Sequence, residues 1–308
     1  MSILLNTLTK AHEGDYEPLS NVLFEIGPVT VYMYSFMILL GVLTALMLGL
    51  REGKRLGVDP DHIIDGLIII LPLSIIGARL YYVIFEWSYY SDNLTRIFAI
   101  QQGGLAIHGG FIVAVISAYV YTRIRKMDLF KVLDLMAPGF IIAQAFGRWG
   151  NFFNQEAHGG VVGGVENGGT VLSHPEQFSF LHETLRIPEF IVNMMYINNG
   201  PDGTNYYHPT FLYESVWNLL GFALILVLRR TRFMRSGDMV GVYLIWYSIG
   251  RFFIEAMRTD SLYIGDTGIR VAQVISILMV LLGIAVFVLN RFVFNRKHYA
   301  KVLNENDL

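Results

Sequence analysis

Apolar residues in this chain do not alternate with polar ones; they come in seven runs of about 20 residues parted by shorter polar stretches. A helix needs about 20 mainly apolar residues to cross roughly 30 Å of hydrocarbon, at a rise of about 1.5 Å per residue. Runs at 29–50, 62–85, 104–122, 129–147, 209–228, 239–257 and 271–290 meet that requirement. They predict an all-α polytopic integral membrane protein, a single membrane domain over 1–308 with seven transmembrane helices. The fourth run is the weakest, because it contains Lys131, Asp134 and Pro138, and is expected to be short or tilted. No repeat and no heptad pattern interrupts this reading. Residues 1–28 include Glu13, Asp15, Glu17 and Glu25 and lack the basic start and apolar core of a signal peptide.

Composition agrees. The chain of 308 residues is 54% hydrophobic and only 16% charged, with net charge −2, where soluble domains average roughly 25% charged. That excludes a disordered chain and a nucleic-acid binder. Cysteine is absent, which removes disulfides, thiolate metal sites and a cysteine nucleophile of the protein's own. No HExxH or comparable ligand spacing occurs, so neither metal nor cofactor is expected.

Lysine and arginine orient the bundle, since short loops rich in them stay in the cytoplasm. One set of connections carries Arg51, Lys54, Arg55, Arg123, Arg125, Lys126, Lys131, Arg229, Arg230, Arg232, Arg235, Arg291, Arg296, Lys297 and Lys301, 15 of the 23 basic residues. The amino terminus is therefore expected outside and the carboxyl terminus in the cytoplasm. The long connection 148–208, with its glycine-rich GGVVGGVENGG run, then lies outside as a small external subdomain or cap.

Ionisable groups inside spans cost about 2.5–3.5 kcal/mol each on insertion scales, so their clustering is informative. With the orientation above, Tyr34, Arg79, His108, Arg148, Tyr213, Glu214, Tyr247, Arg251 and Glu255 all fall toward the outer ends of their spans. Tyr247, Arg251 and Glu255 are spaced i, i+4, i+8 and share one stripe. Arg79, Arg148 and His108 leave positive charge in surplus at that level, which suits an anionic ligand such as a lipid phosphate. Asp65 and Asp134 fall near cytoplasmic span ends and read as helix-end or interfacial residues, while Trp87, Tyr89 and Tyr90 read as an aromatic belt.

Two segments are chemically dense. GGLAIHGG (103–110) sets His108 among glycines at the mouth of the third span, where an imidazole of pKa about 6.5 can take a proton. GRWGNFFNQEAHG (147–159) supplies Arg148, Asn151, Asn154 and Glu156 where the fourth span is expected to break into the external loop. This second segment resembles the signature of prolipoprotein diacylglyceryl transferases. GARLYYV (77–83), GGLAIHGG, HPTFLYE (208–214) and YSIGRFFIEAMR (247–258) are similar to that family too, in the same order. Ser35 departs from the pattern, where glycine is common after the tyrosine.

The resemblance implies a multi-pass enzyme of the bacterial cell membrane, with its active site toward the extracytoplasmic side. It would transfer the diacylglyceryl group of phosphatidylglycerol to the lipobox cysteine thiol of a prolipoprotein signal peptide. A thioether forms and glycerol 1-phosphate leaves. The positions carried over are Tyr34, His108, Arg148, Asn151, Asn154, Glu156, Gly159, Tyr247, Arg251 and Glu255. His108 is the best-matched base for a thiol of pKa about 8.5; Glu156 or Glu255 could orient it or act instead. Arg148 and Arg251 would stabilise the departing phosphate. A transporter or channel for an anionic or lipid substrate is the rival, but it would need a polar path through the full thickness. The inner halves of spans one, three, five and seven are nearly all apolar.

Overall fold

The computed structural model describes residues 10–14, 16–27, 29–100 and 103–299. Residues 1–9, Asp15 and residue 28 of the stretch read for a leader, and Lys301 of the last basic group, lie outside the described residues. Seven helices are long and apolar enough to cross a membrane: α1 (Met33–Arg55), α2 (Pro60–Phe85), α3 (Ile107–Ile124), α4 (Leu129–Asn154), α5 (Thr210–Leu228), α6 (Asp238–Met257) and α7 (Val271–Val288). A π turn, Leu289–Val293, extends the last. Their starts follow local chemistry. Asp59 accepts the amide of Asp61 at 2.9 Å ahead of Pro60, and Asp128 accepts that of Phe130 at 2.9 Å, so both aspartates cap free amides of a first turn.

Helix α1 begins at Met33, because residues Val29–Tyr32 form strand β2, paired antiparallel with β1 (Val22–Ile26). Helix α4 departs most from expectation. It runs 26 residues, through Asn154, and ends only where Gln155 turns left-handed (φ 51°). Gly147 and Gly150 lie inside it rather than breaking it. It is also the most buried span, packed against α1, α5 and α6. Of the two readings of Asp134, the helix-end one fits and the interfacial one does not. The residue is 2% exposed and accepts the amides of Gly237 at 2.6 Å and Met239 at 3.0 Å, capping α6 from a neighbouring helix.

Close helix approach relies on small residues, as expected where lipid removes the hydrophobic drive between helices. Gly77 faces Gly109 across α2–α3, and Gly241 faces Gly283 across α6–α7; a Cβ on Gly283 would lie 2.9 Å from the carbonyl oxygen of Gly241. At the end that carries Arg55 and Arg229, buried Glu52 lies 2.8 Å from Arg230 and 3.7 Å from Arg229, and accepts from Tyr299 at 3.1 Å. Asp65 pairs there with Arg125 at 2.7 Å.

The stretch from Gln155 to Pro209 packs at the opposite end of the bundle. Antiparallel pairs β3–β4 (Val165–Glu166, Gly169–Thr170) and β5–β6 (Tyr196–Gly200, Gly203–Tyr206) join short helical turns in this head. Its core buries Val162, Phe178, Leu181, Val192, Met194, Tyr206 and Tyr207. Residues 10–14 and 16–21 fasten onto it: Ala11 donates its amide to Asn193 at 3.0 Å, and His12 Nδ1 lies 2.8 Å from the Tyr206 hydroxyl. Burial pushes the Tyr16 hydroxyl up to about 12 and lowers His12.

Candidate functional site

The helix ends that meet the head are the first turns of α1, α3, α5 and α7 and the last turns of α2, α4 and α6. Glu214, one turn into α5, is 2% exposed and joins two helices at once. Its Oε1 lies 2.9 Å from Arg148 Nη2 on α4, and its Oε2 accepts from Arg251 Nη1 on α6 at 3.2 Å. Arg251 Nη2 turns to Glu255 Oε2 at 2.6 Å, one helical turn on, as the i, i+4 spacing predicts. Tyr247, one turn back, is within hydrogen-bonding reach of Arg148 and stacks on Tyr243 with rings 5.8 Å apart. Tyr243 in turn accepts from Gln144 Nε2 at 3.0 Å.

Because α4 continues to Asn154, Arg148, Asn151 and Asn154 stand on one helix face rather than on a loop. Arg148 Nη1 donates to Asn151 Oδ1 at 3.1 Å. Asn151 Nδ2 and Asn154 Nδ2 then converge on Glu156 Oε1 at 2.8 and 3.2 Å. Tyr34, in the first turn of α1, lays its ring over Gly150, where a Cβ would collide with it. Tyr32, Tyr34, Ser35, Asn21, Asn154 and Glu156 line an open cleft of about 460 Å³ beside this network, within the size range of small-ligand sites. Ser35 is thus one of the cleft walls.

Gly159 acts through its backbone. Its amide donates to the His208 carbonyl at 2.9 Å and it bridges to Arg258, tying the head to the end of α6. Arg258 is a third guanidinium here, 4.0 Å from Glu255 and forked onto Asp260 at 2.9 and 2.7 Å. That fork holds Asp260 below the usual carboxylate range. Arg270 donates to the Glu255 carbonyl oxygen, fastening the loop before α7 over the same spot.

Two expectations change. The guanidiniums of Arg148, Arg251 and Arg258 are matched by Glu214, Glu255 and Asp260, so no cation surplus stands among them. Arg79 does not join them: it is 5% exposed and bonded to backbone carbonyls of residues 96–104. Tyr90 is buried beneath it, its ring 5.2 Å from the guanidinium, rather than standing in a belt with exposed Trp87 and Tyr89. His108 is exposed in the first turn of α3, with its ring 6.3 Å from that of Tyr81. No hydrogen bond or ion pair links it to the arginine cluster among the described residues. Gln144, Tyr243 and Arg258 were missed from the residue set, although the first two lie four residues before Arg148 and Tyr247, on the same helix faces.

A family model described as prolipoprotein diacylglyceryl transferase matches residues 21–289. The chain belongs to the prolipoprotein diacylglyceryl transferase family. Relatives named phosphatidylglycerol--prolipoprotein diacylglyceryl transferase match over nearly the whole length. That of Listeria innocua is 47% identical over 283 residues, covering 92% of this chain and 94% of its own. The protein of Bacillus mycoides is 47% identical over 278 residues, with 90% and 94% covered. That of Geobacillus kaustophilus is 47% identical over 279 residues, with 91% and 95% covered. The region matched spans all seven apolar helices, the cleft and the arginine–glutamate network.

Proposed function

We propose that this protein is a transferase that moves the diacylglyceryl group of phosphatidylglycerol to the lipobox cysteine of prolipoprotein signal peptides. Family membership carries the reaction and turns away the transporter reading. The observation that carries the site is one buried carboxylate, Glu214, holding Arg148 and Arg251 from two different helices. The chemistry runs at the head end of the bundle, which the charge asymmetry of the loops assigns to the extracytoplasmic face of the bacterial cell membrane.

The substrate thiol gives up its proton, and the thiolate attacks the glycerol carbon bonded to the phosphate ester oxygen. The carbon–sulfur bond forms as the carbon–oxygen bond breaks, and the electron pair leaves on glycerol 1-phosphate. Negative charge thus gathers on the phosphate, next to Arg148 and Arg251. Both guanidiniums are already aimed by buried partners, so little reorganisation accompanies that charge. Asn151, Asn154, Glu156 and Tyr34 offer hydrogen bonds to headgroup hydroxyls and phosphate oxygens along the cleft, with Tyr247 behind Arg148.

His108 serves as base. Glu156 is engaged by two asparagines and Glu255 by Arg251, whereas His108 is exposed and meets only the Tyr81 ring among the described residues. It stands where a thiol borne by a membrane-embedded peptide can reach it. The test is reconstitution: purified protein, phosphatidylglycerol and a lipobox peptide, with the alkylated peptide read by mass. Product is expected with phosphatidylglycerol and not with phosphatidylethanolamine or a cysteine-to-serine peptide. Arg148→Ala, Arg251→Ala and His108→Ala are expected to abolish or greatly reduce it. Normal turnover of His108→Ala across pH would remove His108 as base and leave the reaction standing.

A further inference from the structure

Arginine has five N–H donors, and Arg79 of α2 commits all of them to backbone carbonyls. Its Nε donates to Ile97 at 2.9 Å, Nη1 to Gly103 and Gly104 at 2.7 and 2.8 Å, and Nη2 to Arg96 and Ala99 at 2.6 and 3.4 Å. The ring of Tyr90 closes one face. No donor is left for a phosphate, so the charge that marked Arg79 as a ligand-binding residue has another use.

The carbonyls it gathers belong to the segment that leads into α3. Gly103 and Gly104 have φ of +86° and +76°, a left-handed pair that turns both carbonyls onto one guanidinium nitrogen and that side-chain-bearing residues rarely adopt. A Cβ on Gly104 would strike the guanidinium itself. The next positions continue the same seam. Ala106 donates its amide to the Ala78 carbonyl at 3.0 Å, and Gly109 packs so closely that a Cβ would lie 2.5 Å from the Gly77 carbonyl oxygen. GARLYYV and GGLAIHGG, read separately in the sequence, are two sides of one joint. Three successive α2 residues, Arg79, Ala78 and Gly77, dock the chain on either side of His108.

We propose that Arg79 is a positioning residue for the transfer: it fixes the segment before α3 and so sets where the His108 imidazole stands. This rests on the reading of His108 as base. A base displaced by about 1 Å loses on the order of 10²-fold in rate, while the phosphate sites on α4 and α6 are untouched. Arg79→Gln is therefore expected to lower kcat about 10²-fold with KM for phosphatidylglycerol within twofold of the parent. Arg79→Lys, with three donors in place of five, is expected not to rescue it. In a double-mutant cycle Arg79→Gln should add little to His108→Ala, because both act through one imidazole. Should Arg79→Gln fail to accumulate in the membrane, Gly104→Ala provides the same displacement and the same expected kcat loss. A raised KM with kcat restored by Arg79→Lys would make Arg79 a phosphate ligand and overturn the proposal, as would losses that multiply in the cycle. Full turnover of His108→Ala alone would instead strike the base assignment itself.

Discussion

Glu214→Gln is the most informative single change, since it alters charge and keeps shape. The carboxylate is 2% exposed and lies 2.9 Å from Arg148 and 3.2 Å from Arg251. With Glu255 it balances those two guanidiniums; the amide leaves one half-buried cation unmatched and turns an N–H toward an arginine. Removing one partner of a buried ion pair costs about 3–5 kcal/mol. At about 3 °C per kcal/mol for a chain of this size, the melting temperature in lipid nanodiscs should fall by roughly 9–15 °C. Turnover should fall by about 10²-fold, because the arginines lose the group that aims them. The double variant Glu214→Gln, Arg148→Gln removes the unmatched charge and should regain at least half of the lost melting temperature with no return of activity. Thermal unfolding and peptide alkylation, measured on the same preparations, separate the two roles. A Glu214→Gln protein that melts within about 2 °C of the parent, or a double variant no more stable than the single, would refute the charge-balance reasoning.

Gly150→Ala drives a methyl group into the Tyr34 ring, and should reduce kcat/KM about tenfold by moving that cleft wall; a rise in KM for phosphatidylglycerol checks it. Asp134→Asn turns one of the two carboxyl oxygens that accept α6 amides into an NH2 donor, and is expected to lower stability by about 1–3 kcal/mol while KM stays unchanged, which denaturant or thermal unfolding would show. The head should loosen in acid. Burial lowers His12 and His208 below their ordinary 6.5, so below about that pH the unfolded chain binds more protons. Stability then falls with pH, and above about 6.5 both states are neutral and the dependence fades. The protection factor for hydrogen exchange at Ala11, whose amide is bonded to Asn193, should fall on acidification once the intrinsic pH dependence of exchange is divided out, less so in His12→Gln; a flat protection factor in the parent would exclude the effect.

The seven helices were legible because a bilayer imposes a length and an apolarity that few other folds demand. At α4 the same reasoning found the span and its start but underestimated its length, for a physical reason. Lys131, Asp134 and Pro138 count against a lipid-facing span, but α4 sits inside the bundle, where Lys131 Nζ bonds the Leu56 carbonyl at 3.0 Å and Asp134 caps α6. Gly147 and Gly150 suggested a break, yet in a packed helix glycine also makes room for a neighbour, here Tyr34. Depth along each span was readable from charge and spacing, and it brought Arg148, Glu214, Tyr247, Arg251 and Glu255 to one level. Which carboxylate met which arginine was not readable, since pairing depends on how helices far apart in sequence rotate against each other.

Arg79 shows where charge counting stops being a guide to function. By charge and depth alone it is indistinguishable from Arg148 and Arg251: a guanidinium near the head end of an apolar helix. What separates them is the company each finds. Arg148 and Arg251 share the Glu214 carboxylate of another long helix, and Arg251 also meets Glu255 on its own helix, partners that an incoming phosphate can compete with or join. Arg79 faces carbonyls, and a backbone that supplies five acceptors has already taken what a ligand would need. A buried arginine is thus a ligand-site candidate only to the extent that its donors are free or held by exchangeable anions. By that criterion the head end of this bundle divides in two: an α4–α5–α6 half able to hold a phosphate and an α2–α3 half whose arginine only builds. The imidazole on the building half and the guanidiniums on the binding half then have to be brought together by the substrates themselves, with the lipid phosphate on one side and the peptide thiol on the other.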